Sequence, residues 1–144
     1  MEKLTLESKR IMEERFGKDN IVALATIDDG IPHVRNVDAF YEDGAFYIIT
    51  YALSNKMRQL AKNPAAAIAG DWFTAHGKGI NLGYFGKPEN KEIAEKLKKA
   101  FCALIDNFHN NFDDENTSIF CIRLTYGILF SHGTRYDIDF TKDQ

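Results

Sequence analysis

Three strand-forming runs joined by two Asp-Gly turns constrain the fold of this chain more than any other feature. Residues 21–27 (IVALATI) are apolar and rich in β-branched side chains, and Asp28-Asp29-Gly30 closes the run with a hairpin signal. Residues 31–41 read as the returning strand. Glu42-Asp43-Gly44 marks a second tight turn, and residues 45–51 (AFYIITY) make a third strand. Successive strands joined by tight turns must pair antiparallel, so the meander is a direct consequence of the turns.

The hydrophobic period then changes. Met57, Leu60 and Ala61 fall at i, i+3 and i+4, which predicts a short helix over 54–62 that Asn63-Pro64 must end. Ahead of the meander, Thr5 can cap a helix running to about Phe16, with Gly17 as its stop and Leu4, Ile11 and Met12 as its apolar side. Beyond Pro64, Ala65 to Ala75 and Ile80 to Phe85 read as two strands divided by Gly77 and Gly79. From about Pro88, the positions Ile93, Leu97, Ala100, Phe101, Leu104, Ile105 and Phe108 form one apolar helical stripe. Ser118 to Phe130 reads as a last long strand, and Tyr136 to Phe140 as a short edge strand.

About six strands with few, short helices exclude a doubly wound α/β fold, and an antiparallel sheet of this size tends to close on itself. The expectation is a mainly β protein, an antiparallel barrel with helices packed outside, forming one domain over residues 1–144.

Composition removes several classes of function. The net charge is −3 and no Lys/Arg block stands out, which argues against a nucleic-acid binder. No apolar run is long enough to span a membrane as a helix, and the charged N-terminus lacks a signal-peptide core, so the expectation is cytoplasmic. Cys102 and Cys121 stand far apart and read as two buried structural thiols. His33, His76, His109 and His132 are scattered without ligand spacing, so no metal site is expected. His109 and the acidic stretch Asp113-Asp114-Glu115 read as loop residues. No Ser-His-acid or paired-carboxylate arrangement supports hydrolysis.

The segment from Arg35 to Pro64 can carry chemistry. Arg35 lies on a strand, Thr50 ends the next, and Ser54 and Lys56 stand where the short helix begins. A helix N-terminus has free N–H groups and a partial positive charge. Two hydroxyls, an ammonium and a guanidinium added to it can neutralise and hydrogen-bond a phosphate dianion. Ser54 also reads simply as an N-cap, and spacing alone favours the cap.

Pro32-His33-Val34-Arg35-Asn36-Val37, Tyr47 to Lys56, and Leu60 to Pro64 together resemble the pyridoxamine 5′-phosphate oxidase superfamily of FMN-binding split barrels; the Ala23-Leu24-Ala25-Thr26 strand and the turn at Asp29-Gly30 fit the same pattern. The resemblance implies cofactor contacts at Arg35, Asn36, Val37, Ile49, Thr50, Ser54, Asn55, Lys56 and Asn81. Within that set, Arg35, Thr50, Ser54 and Lys56 would hold the FMN phosphate. It also implies a homodimer with flavin at the interface. Asn55 stands where the biosynthetic oxidases place a second Arg, and their Arg-containing C-terminal signature is not visible around Arg135. These departures point to the short members grouped with nitroimidazole-resistance and general-stress proteins rather than to vitamin B6 oxidation.

The resemblance further implies an oxidoreductase in which FMN moves electrons from a reduced nicotinamide or a small substrate to an acceptor. A non-catalytic flavin- or heme-binding protein is the alternative, and a deazaflavin would suit the same barrel. His76, Lys78 and Asn81, in the Gly-rich stretch 75–84, are candidates for the flavin ring or substrate pocket, and the same stretch reads equally as a bend between barrel strands. Trp72 could pack near the ring, although a lone Trp more often serves core or interface. His132, Arg135 and Tyr136 could approach a substrate or simply lie in the tail.

Overall fold

The computed structural model describes residues 2–3, 5–51, 53–101 and 115–142. The strands are β1 (Glu2–Lys3), β2 (Asn20–Asp28), β3 (Ile31–Glu42), β4 (Ala45–Tyr51), β5 (Ala65–Gly70), β6 (Phe73–Tyr84), β7 (Thr117–Ser131) and β8 (Thr134–Asp139). Helices α1 (Leu6–Phe16), α2 (Asn55–Lys62) and α3 (Lys91–Ala100) flank them, with a 3-10 turn over Pro88–Asn90. Strands β7, β4, β3, β2, β5 and β6 pair in that order, and β6 returns to β7. The six strands therefore close an antiparallel barrel. None of the described helices is long and apolar enough to cross a membrane.

The turns explain the local order. Asp29 and Gly30 have φ of 51° and 75°, and Asp43 and Gly44 have 46° and 84°. Positive φ at both central residues matches the twist of the flanking strands, and Asp-Gly tolerates it best. His132 and Gly133 repeat the device between β7 and β8 (φ 49° and 79°), which makes His132 a turn residue. Along β7, one edge pairs with β6, while the other pairs first with β4 and then with β8.

Two expectations need correction. Ala65 to Ala75 is not one strand: the chain reverses at Asp71-Trp72, where Trp72 adopts φ 51°, and β6 then runs unbroken through Gly77 and Gly79. Those glycines do not divide strands. They let neighbours approach, and a Cβ on Gly77 would stand 2.5 Å from the Arg123 carbonyl oxygen. The C-terminal strand is not an edge either, since β1 pairs with it in parallel. Of the long helical stripe, Leu97 and Phe101 are buried and Ile93 and Ala100 partly so, whereas Leu104, Ile105 and Phe108 lie outside the described residues, as do Leu4, Cys102, His109, Asp113 and Asp114. Cys121 is buried, as expected.

Burial inside the barrel follows the period-two alternation of its strands. Val22, Leu24, Ile48, Ile68, Phe120 and Ile122 point inward. Helix α1, capped by Thr5 through a reciprocal Thr5–Ser8 capping box, lays Ile11, Met12 and Phe16 against one end. The Phe16 ring lies 5.5 Å from those of Phe46 and Phe73. Helix α2 closes the other end with Met57 and Leu60. Helix α3 covers a separate cluster on the outside, where Leu97 and Phe101 meet Phe85 and Ile119. Lys96 Nζ ties that helix to Glu42 at 2.6 Å.

Candidate functional site

The barrel is split beside α2. Strand β3 pairs with β2 along residues 31–39, but with β4 only at Phe40, Tyr41 and Glu42. From there the two strands diverge, so one edge of β3 and the start of the gap along β4 carry backbone groups that no ladder engages. A cavity of about 210 Å³ lies in the gap, lined by Asn36, Val37 and Asp38 of β3, Ile48 and Ile49 of β4, Lys56 of α2, and Phe101. Four of the expected contact residues (Asn36, Val37, Ile49 and Lys56) thus come together from three elements.

The remaining expected residues surround the same end of the barrel or leave it. Ser54 caps α2, its Oγ accepting from the Met57 N–H at 3.4 Å. Thr50 is buried on the inward face of β4, in line with Phe46 and Ile48. Asn55 turns to the other side of α2, where its Oδ1 accepts from Arg58 and where a second cleft, of about 710 Å³, is lined by Asp28, His33, Arg58, Gln59 and Lys62. Asn81 is occupied locally: its Oδ1 accepts from the Gly83 N–H at 2.8 Å and shapes the bulge between Asn81 and Gly83.

Arg35 points inward from β3, opposite Leu24 of β2. Its guanidinium donates to Thr26 Oγ1 at 2.8 Å, to the Leu24 carbonyl at 3.3 Å, and to Gln59 Oε1 at 3.0 Å. Sequence reasoning missed Thr26 and Gln59. A signal existed for Thr26, the lone polar side chain on the inward face Val22-Leu24-Thr26.

The electrostatics of the pair Arg35 and Lys56 are unusual. Burial pulls the pKa of Arg35 down. Burial also lowers that of Lys56, and repulsion from Arg35 lowers it further. Lys56 therefore feels the charge of Arg35, and neither forms an ion pair among the described residues, although Asp38 lines the cavity beside Lys56. Like charges held together without a counter-ion disfavour the empty protein and favour an anion between them.

The other candidates lie elsewhere. His76 stacks on Tyr126 across β6 and β7 at 4.6 Å, and Lys78 stands opposite Arg123 on the same outer face. Trp72 is 71% exposed in its turn and meets Phe130 edge-on. Arg135 pairs with Asp137 at 3.0 Å.

A closed six-stranded barrel, split between two strands and plugged by a short helix, defines the split-barrel class. The family model for pyridoxamine 5′-phosphate oxidase matches residues 9–127, and the chain belongs to that family. A pyridoxine/pyridoxamine 5′-phosphate oxidase of Rhodopseudomonas palustris (strain BisB5) is 40% identical over 62 residues, 42% of this chain; the match spans only 29% of that relative's length. General stress protein 26 of Bacillus anthracis superposes with a TM-score of 0.69 at 16% identity, covering 92% of this chain and 100% of that one. An FAD-binding protein of Mesorhizobium loti gives 0.66 at 16% identity, covering 85% and 91%. At such identities the structural likeness is one of fold.

Proposed function

We propose that this chain binds FMN as a homodimer and acts as an FMN-dependent oxidoreductase, with the flavin phosphate held at the α2 end of the barrel by Arg35, Thr50, Ser54 and Lys56. One observation carries the reading: burial, and after it Arg35, lowers the pKa of Lys56 beside the N-terminus of α2, and neither cation forms an ion pair among the described residues. Family membership supports a flavin, and the Mesorhizobium loti protein shows that a flavin-binding chain can share this fold.

Bound FMN would supply the electron-transfer chemistry. The chain's residues would anchor and orient it. Asn36, Val37 and Ile49 line the gap into which the ring system would extend from the phosphate, and the unpaired edge of β3 offers backbone donors and acceptors to its polar rim. No side chain need act as a nucleophile.

The test is the visible spectrum of the purified protein with added FMN. Perturbed flavin bands are the expected result, and a Soret band would replace the reading with heme binding. Flavin reduction by NADH or NADPH faster than that of free FMN separates an enzyme from a carrier. Arg35→Ala and Lys56→Ala should each weaken FMN binding about tenfold or more, the usual scale of a charge-assisted contact to phosphate, with the fold intact. Full flavin occupancy in both variants refutes the phosphate assignment.

A further inference from the structure

Among the described residues, the guanidinium of Arg35 is held by neutral acceptors alone. Nη1 donates to Thr26 Oγ1 and to the Leu24 carbonyl, and Nη2 donates to Gln59 Oε1. The Thr26 hydroxyl, on a residue 1% exposed, donates to the same Gln59 oxygen at 2.6 Å. Because a guanidinium can only donate, the Gln59 amide must turn its oxygen toward Arg35, and the direction of every bond in this three-residue ring is fixed. The ring joins β2, β3 and α2 at one point.

The choice of anchors has a consequence for charge. A carboxylate would fix Arg35 at least as firmly, but it would also cancel the positive charge there. An amide and a hydroxyl fix the group and leave its charge, with its remaining N–H donors, available to a ligand. Asp28 lines the neighbouring cleft with Gln59, and no ion pair between it and Arg35 occurs among the described residues. We infer that Thr26 and Gln59 are positioning residues that hold Arg35 as a fixed, un-neutralised cation for a phosphate group. The inference rests on the flavin-phosphate reading for the identity of its ligand, while the geometry itself concerns Arg35 and its anchors.

Gln59→Glu separates this role from a merely structural one. Glutamate keeps both hydrogen bonds and adds an ion pair, so the ligand-free variant should melt no lower than the parent. Its affinity for FMN should nevertheless fall about tenfold or more, a difference of about 1.4 kcal/mol per decade. Riboflavin, which lacks the phosphate, should bind as it does to the parent. Thr26→Val, which removes one anchor, should shift the FMN-to-riboflavin affinity ratio in the same direction by a smaller factor. If the ring serves stability alone, affinity follows melting temperature and Gln59→Glu binds FMN as well as the parent does; that result overturns the inference and leaves the flavin reading standing. Should Gln59→Glu fail to fold, an unchanged FMN-to-riboflavin ratio in Thr26→Val overturns it equally.

If the parent binds no FMN, the flavin reading fails, and thermal stabilisation by inorganic phosphate alone decides. Phosphate that stabilises the parent but not the variants supports the positioning role. An equal effect on all three, or no effect on the parent, overturns it.

Discussion

At the scale of single residues, the consequence easiest to measure belongs to Lys56. Burial, and after it Arg35, holds its pKa below the ordinary value of 10.5. A base with a depressed folded-state pKa gives up its proton first in the folded protein. Between the folded value and the unfolded one, the unfolded chain binds more protons, so stability rises with pH across that window. At lower pH both states are protonated, and the folded state bears the full cost of a desolvated ammonium beside a guanidinium. Lys56 should therefore contribute a rising component to the melting temperature of the ligand-free protein as alkaline pH climbs toward 10.5, against the opposite contribution of buried Cys121, and Lys56→Met should make the slope less positive. Phosphate reverses the balance by favouring the ammonium form. Binding of FMN within the window should take up a proton, measurable by titration calorimetry in buffers of different ionisation enthalpy. Identical pH slopes in the parent and Lys56→Met would show that the ammonium is not strained by its surroundings.

At the scale of elements, the β6–β7 pairing holds the barrel closed, and Gly77 sits at its tightest point. The register shifts between His76 and Gly77, and an added Cβ would meet the Arg123 carbonyl at 2.5 Å and Ile122 Cγ2 at 2.9 Å. Backbone cannot yield as a flexible side chain can, so Gly77→Ala should lower stability by about 1–3 kcal/mol, read as a reduced urea midpoint. An unchanged midpoint would mean that the bulge absorbs the methyl group. The same elements show what sequence could reveal. The hairpins at Asp29-Gly30 and Asp43-Gly44 were legible because those residues tolerate positive φ, whereas the turn at Asp71-Trp72 was hidden by a residue that seldom adopts it. The helix over 54–62 was legible from its apolar spacing and its cap. The gap between β3 and β4 was not, since alternation says which face a residue takes and nothing about which strand edge stays unpaired. Gln59 was illegible for a related reason: on a short helix a glutamine reads as solvated until the strand behind it is known.

At the scale of the whole molecule, the outer face of β3, β2 and β5 is the candidate seat for the second copy of the proposed homodimer. Cross-strand register aligns Val34 with Ala25 and Ala67, then His76, and beside that row Ala23 with Ala69. Val34 is 71% exposed and Ile21 67%, with alanines between them on β2 and β5, and Asn36 and Asp38 of β3 bordering this apolar row. A smooth face of small residues spread over three strands can be covered closely by an identical one, and contiguous exposed apolar surface of this kind marks association sites. A second copy seated there would have His76 and Lys78 beside it, and in the proposed homodimer the flavin site draws on both subunits. Ala67→Glu places a charge at the middle of the face without touching Arg35, Lys56 or the core. The parent should sediment as a dimer and the variant as a monomer of 16.4 kDa, with FMN affinity falling in step with dissociation. A variant that stays dimeric moves the interface to another face. A monomer that binds FMN as tightly as the parent shows that one subunit completes the site alone.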